Sequence, residues 1–185
     1  QSVFEQAIQS GHTAGVFADG MTAACQQKDG GTKYAVRHNP WTYFANERAD
    51  CQRFDRPIGD LAAAVSAGTL PNVGMVVPNT CNDAHDCPLG RADEWFANWM
   101  TRIFAGPDWK SGQLAVVLTA DEDDRSANNT VLTVVIHPSQ KAHIVSAPLT
   151  HYSLTRLYED VVGASHSGSA ASAPSMSDAF GLPLP

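Results

Sequence analysis

Three short runs of almost unbroken apolar residues constrain how this chain can fold: 73–77, 114–119 and 131–136. Each is rich in β-branched side chains, and strict polar alternation is missing from all three. Runs of this kind suit parallel strands covered on both faces. The segments around them carry helical spacing instead. Val3–Gln9 has an apolar face at Val3, Phe4, Ala7 and Ile8, and residues 57–67, 91–104 and 152–162 read as further helices. Residues 13–18 read as a short first strand. Strands alternating with helices predict an α/β layered architecture.

Local punctuation supports these limits. Ser2 is placed to cap the first helix, with Glu5 completing a capping box and Gly11 following its end. Pro57 opens the second helix and Gly68 closes it. The helix at 91–104 gathers Trp95, Phe96, Trp99, Met100, Ile103 and Phe104 on one face, which reads as core. Residues 19–55 form a long polar excursion holding two cysteines and the aromatic group Trp41, Tyr43 and Phe44. An excursion of that length is usually functional or cross-linked. Residues 1–162 read as one domain, and residues 163–185, rich in Ser, Ala and Pro, read as a flexible tail in which Phe180 and Leu182 dock.

Charge narrows the partners. A net charge of −7 disfavours nucleic acid or an anionic membrane as the main partner. No stretch approaches the roughly 20 apolar residues of a membrane span. A phosphate substrate stays open, because a bound cation reverses the local field.

The polar residues with chemical potential cluster where apolar runs end. Pro78 stops the run at 73–77, and Asp83, His85 and Asp86 follow within a short loop. Asp121, Glu122, Asp123 and Asp124 follow the run at 114–119, with Asp121 and Glu122 leaving it first. His151 opens the last helix, and His38 lies beside Asn39 and the aromatic group. In α/β sheets ligands bind beyond the carboxyl ends of strands. Carboxylates and imidazoles in that position suit a divalent metal or acid/base work, and the expectation is that they converge on one cation. Each group also has a plainer reading, as a solvated turn or a helix start.

Four cysteines, Cys25, Cys51, Cys81 and Cys87, fit two disulfides in an extracytoplasmic protein. Cys25 with Cys51 would close the long excursion, and Cys81 with Cys87 would bracket the acidic loop. A zinc site of Cys81, Cys87 and His85 is the alternative.

Four motifs occur in order: residues 33–41 around His38-Asn39-Pro40, residues 77–86 around Asp83-Ala84-His85-Asp86, residues 119–124 with their acids, and His151-Tyr152-Ser153-Leu154. Together they resemble the phosphoesterase family of secreted bacterial acid phosphatases and phospholipases C, within the alkaline phosphatase superfamily. The resemblance implies a three-layer α/β/α sandwich and metal-dependent hydrolysis of phosphate esters. It implies catalytic roles for His85 and His151, a substrate pocket at His38 and Asn39, and a divalent metal held by Asp121, Glu122, Asp83 and Asp86. It also implies a secreted location and a phosphate-ester substrate. Family members begin with a strand ending in Glu-Asn, followed by the nucleophile segment, and neither is found here. His137-Pro138-Ser139-Gln140 echoes the nucleophile segment in letters alone, after a different strand. The expectation is therefore a carboxyl-terminal portion completed by a second polypeptide. A phospholipase C-like phosphodiesterase and a non-catalytic binding protein of the same fold are the alternatives.

Overall fold

A computed structural model describes residues 1–184 as two compact units, Gln1–Lys110 and the segment from Ser111 onward. The first unit holds α1 (Val3–Gln9), β1 (Ala14–Ala18), α2 (Arg48–Phe54), β2 (Asp55–Pro57), α3 (Gly59–Ala67), β3 (Val73–Val77), α4 (Leu89–Ala105) and α5 (Pro107–Lys110). Its sheet is parallel, in the order β2-β1-β3, with Val16 opposite both Asp55 and Met75. All five residues of β1 are buried, as a central strand requires. Helices α1, α2 and α3 pack on this sheet, and α4 and α5 pack on α3. The architecture is the expected α/β one, a parallel sheet with helices against it.

The Ser2 hydroxyl accepts the Glu5 N–H at 3.1 Å, as predicted for an N-cap. The reciprocal half of the capping box comes from elsewhere. Glu47 takes the Ser2 N–H at 2.7 Å, bonds the Ser2 hydroxyl, and accepts Trp41 Nε1 at 2.9 Å. Trp41 is wholly buried and stacks on Phe4 with ring centroids 4.7 Å apart. The aromatic group of the excursion thus divides: Trp41 is core, Phe44 is half-buried and Tyr43 is exposed. The expected apolar face of α4 divides too. Met100 and Ile103 are buried, Trp95, Phe96 and Trp99 half-buried, and Phe104 exposed beside Trp109.

The second unit corrects two expectations. Its strands β4 (Val116–Leu118) and β5 (Val134–Ile136) pair antiparallel, where the apolar runs suggested parallel strands buried on both faces. The intervening residues hold no helix, and a connection that folds directly back makes antiparallel neighbours. Val134 is correspondingly 37% exposed. The supposed flexible tail instead carries a 3-10 turn, Gly168–Ser172, and α7 (Met176–Phe180). Both lie against α6 (His151–Val161). Met176 and Leu182 join Val135 and Leu157 in the core of this unit, with Phe180 packed against them. Polar contacts fix the same segment: His166 Nε2 meets Asp160 at 2.6 Å, and Glu159 accepts the Ser167 N–H at 3.0 Å. Of its small residues, Ala170, Ala173 and Ser177 are buried.

Candidate active site

Parallel strands present their carboxyl ends at one edge, and the loops leaving β1 and β3 are tied together there. Asp19 N–H donates to the Val77 carbonyl at 2.8 Å, and Asn82 Nδ2 donates to Asp19 Oδ2 at 2.7 Å. Arg91, from the first turn of α4, donates to Asn82 Oδ1 at 3.1 Å. The segment before the 3-10 turns of the excursion (Val36–His38, Pro40–Tyr43 and Ala45–Glu47) folds back to the same edge. Gly20 and Gly31 make this possible: both have positive φ, and a Cβ on Gly20 would meet the Thr32 carbonyl oxygen at 2.2 Å. The Lys33 carbonyl then accepts the Thr80 N–H at 3.1 Å.

The loop after β3 is built by its own polar residues. Buried Asn79 accepts the N–H groups of Cys81 and Asn82 on its side-chain oxygen, each at 3.0 Å. Thr80 donates its hydroxyl to Asp86 Oδ2 at 2.6 Å, and Asp86 N–H donates to the Thr80 carbonyl at 2.7 Å. The Cys81–Cys87 disulfide closes this loop. Its sulfurs are bonded to each other, which removes the alternative zinc site of Cys81, Cys87 and His85. Cys25 and Cys51 are likewise joined. These two sulfurs and an Asp55 oxygen lie within 4.8 Å of one another, but oxidised sulfur offers no thiolate to a metal.

On this frame the sequence-predicted residues of the first unit meet. His38 Nδ1 lies 2.9 Å from Asp83 Oδ2, and His85 Nδ1 lies 2.8 Å from Asp86 Oδ1. The two imidazoles are 5.6 Å apart, centroid to centroid. Asp83 also accepts the His85 N–H at 2.8 Å, so one carboxylate holds both His38 and the backbone of His85. The hydroxyl of Thr80, and then the bond to His85, hold the Asp86 carboxyl below the usual range. Each imidazole bound at Nδ1 by a carboxylate has its orientation fixed, an arrangement that suits metal ligation or proton transfer through Nε2. Arg37 Nη2 approaches His85 Nε2 at 3.4 Å and brings positive charge to the group. Sequence reasoning passed over Arg37; its place beside His38 in the motif was the available signal.

Asn39 departs from expectation. It is wholly buried and does not line an open pocket; its Nδ2 donates to both oxygens of Asp55, at 3.0 and 2.8 Å. Asn39 stands between two 3-10 turns, Val36–His38 and Pro40–Tyr43, with extended backbone (φ −109°, ψ 93°), and successive side chains on extended backbone point to opposite sides.

The second unit holds the other predicted residues. His151 Nε2 donates to the Asp121 backbone carbonyl at 2.8 Å, so its Nδ1 is the atom left for a ligand or proton. Asp123 takes the N–H groups of Ala127, Arg125 and Asn129 at 2.7, 3.0 and 3.1 Å. Those backbone donors, Ala127 first, hold its carboxyl below the usual range. Asp124 accepts from the Ser126 N–H at 3.1 Å and from its hydroxyl. The acids thus divide by function. Asp123 and Asp124 shape the loop, while the carboxylates of Asp121 and Glu122 are exposed. Ser139, in the echo of a nucleophile segment, bonds to His137 Nδ1 at 2.8 Å, and His137 Nε2 meets the Gly112 carbonyl at 2.9 Å.

Comparison with known proteins finds relatives of this chain. A phosphatidylinositol-3-phosphatase from Mycobacterium tuberculosis is 28% identical over 181 residues, covering 94% of this chain and 56% of that protein. A phosphate-repressible acid phosphatase from Penicillium chrysogenum is 27% identical over 133 residues, covering 68% of this chain and 32% of that protein. The chain therefore spans about half or less of the length of these curated relatives. The family model described as the phosphoesterase family matches residues 1–163, a span that contains every imidazole–carboxylate contact described for this site. The chain belongs to the phosphoesterase family.

Proposed function

We propose that this chain is part of a secreted, metal-dependent phosphoesterase that hydrolyses phosphate monoesters. The observation that carries the reading is the paired set His38–Asp83 and His85–Asp86 at the carboxyl edge of the parallel sheet. Both disulfides fit an oxidising compartment. No helix among the described residues is long and apolar enough to cross a membrane.

In this reading His85 and Asp86 bind metal or move a proton, and His38, oriented by Asp83, meets the phosphoryl oxygens. Arg37 adds positive charge beside them. Asp121 and Glu122 offer hard anionic oxygens suited to a divalent cation, and His151 offers Nδ1 in the same unit. A bound divalent ion would stabilise charge on the phosphoryl oxygens and lower the pKa of the attacking group. The donor set fits such an ion, because the Asp121 and Glu122 carboxylates, unlike Asp123 and Asp124, do not close their own loop. His137 and Ser139 hold each other and the Gly112 carbonyl, which supports a structural role for them.

The test is hydrolysis of p-nitrophenyl phosphate and bis-p-nitrophenyl phosphate by the whole protein, with and without chelator. Monoester hydrolysis abolished by chelator and restored by a divalent ion is expected. Preferred diester hydrolysis would move the reading to a phospholipase C-like enzyme. No hydrolysis by intact, metal-replete protein would leave the binding-protein reading.

A further inference from the structure

Asp55 and Asn39 are both fully buried, and they face each other behind the site. The Asn39 amide nitrogen reaches three oxygens: Asp55 Oδ1 at 3.0 Å, Asp55 Oδ2 at 2.8 Å and the Tyr34 hydroxyl at 3.2 Å. Its amide oxygen is buried with no hydrogen-bond donor among the described residues. That is an imbalance: a carboxylate sharing one nitrogen's hydrogens, beside a buried acceptor that receives none. Among the described residues no lysine, arginine or histidine forms an ion pair with Asp55. The Cys51 sulfur, 3.6 Å from Asp55 Oδ2, is oxidised and has no hydrogen to give.

A single proton on Asp55 resolves both defects. Rotation of the Asn39 amide about its Cβ–Cγ bond then lets the acid O–H donate to Asn39 Oδ1, while the second acid oxygen keeps an Asn39 N–H. An acid–amide pair of this kind is satisfied on both sides and carries no buried charge. We propose that Asp55 works in its neutral form, as a positioning residue whose acid–amide pair with Asn39 seats the adjacent His38 against Asp83. The assignment of His38 to the active site rests on the function proposed above; the Asp55–Asn39 pair does not.

The surroundings favour the neutral acid. Burial pushes the Asp55 carboxyl up to about 7, against the opposing pull of the Asn39 bond. The groups facing it are few. Tyr34 bonds to Asn39, and burial raises its hydroxyl to about 12, so it stays neutral. Arg48 donates to the far sulfur, Cys25, at 3.2 Å. Strand β1, opposite Asp55 at Val16, has no titratable side chain. Arg53 and Arg56, on either side of Asp55 in sequence, are exposed, with Arg56 bonded to the Arg53 carbonyl.

The sign follows from linkage. The folded form binds this proton more tightly than the unfolded chain does. The stabilisation is therefore complete at acid pH, declines from the ordinary carboxylate range upward, and is lost as pH passes about 7. Between 3.8 and about 7 the folding equilibrium constant should weaken by up to about a thousand-fold from this group.

The experiment is infrared difference spectroscopy of the whole protein from pH 5 to 9, with NMR of the His38 ring in parallel. A protonated-carboxyl C=O band that disappears with a midpoint near 7 is expected, and it should be absent in Asp55→Asn. The His38 resonances should show an inflection at the same pH, and Asp55→Asn, which places a neutral amide against Asn39, should erase it. Absence of the band at pH 5 to 6 in wild type would overturn the neutral-acid assignment, whether or not the variant folds. A band that titrates while the His38 resonances show no matching inflection would overturn the positioning role. None of these readouts depends on phosphatase activity.

Discussion

Removing the two disulfides one at a time should separate stability from site geometry. The bonds differ in the length of chain they close: 26 residues for Cys25–Cys51 and 6 for Cys81–Cys87. In the chain-entropy picture the first restricts the unfolded chain by about 3.5 kcal/mol and the second by about 2 kcal/mol at 25 °C. Packing widens the gap, because Cys25 and Cys51 are buried while Cys81 and Cys87 are half-buried. The double variants Cys25→Ala/Cys51→Ala and Cys81→Ala/Cys87→Ala avoid stray thiols. With a urea slope of about 2 kcal/mol/M, the midpoint should fall by about 1.7 M or more for the first pair and about 1 M for the second. Activity should follow the opposite order. The short bond closes the loop carrying Asp83, His85 and Asp86, and freeing that loop should lower turnover at least tenfold under conditions where the protein stays folded. Equal midpoints, or a larger loss for the short bond, would refute the entropic reasoning. Unchanged turnover in Cys81→Ala/Cys87→Ala would refute the claim that this bond organises the site.

Glu47→Gln should destabilise the first unit by about 2–4 kcal/mol, since a buried carboxylate that serves Ser2 twice and Trp41 once is replaced by a group that also donates; near-UV circular dichroism and urea melts check this. Asp83→Asn should reduce turnover more than tenfold with little loss of stability, because it loosens His38 while leaving the buried Asn79 and Asn82 in place; steady-state kinetics beside thermal melts decide it. Asp121→Ala should lose bound metal and most activity while the exposed loop keeps its shape, held by Asp123; metal analysis and circular dichroism test both halves. By contrast, Asp123→Ala should unfold that loop locally, seen as faster amide exchange at Ala127 and Asn129.

Much of this protein was legible in its residues alone. Apolar periodicity located α1, β3, α4 and α6 to within a residue or two, because it records which face each local segment buries. Loop chemistry grouped Asp83, His85 and Asp86, which are near in space because they are near in sequence. Direction and distance were another matter. An apolar run marks burial and so pointed to parallel strands, but the connection between strands sets their direction, and only the assembled chain made β4 and β5 antiparallel. The segment after position 163 reads as a linker until β5 and α6 supply the surface on which Met176 and Leu182 pack. The contacts of His38 with Asp83, Asn39 with Asp55 and Glu47 with Ser2 join residues far apart in the chain. A polar side chain carries no periodic mark of its partner, and its meaning is settled only when folding removes water and leaves one neighbour within reach.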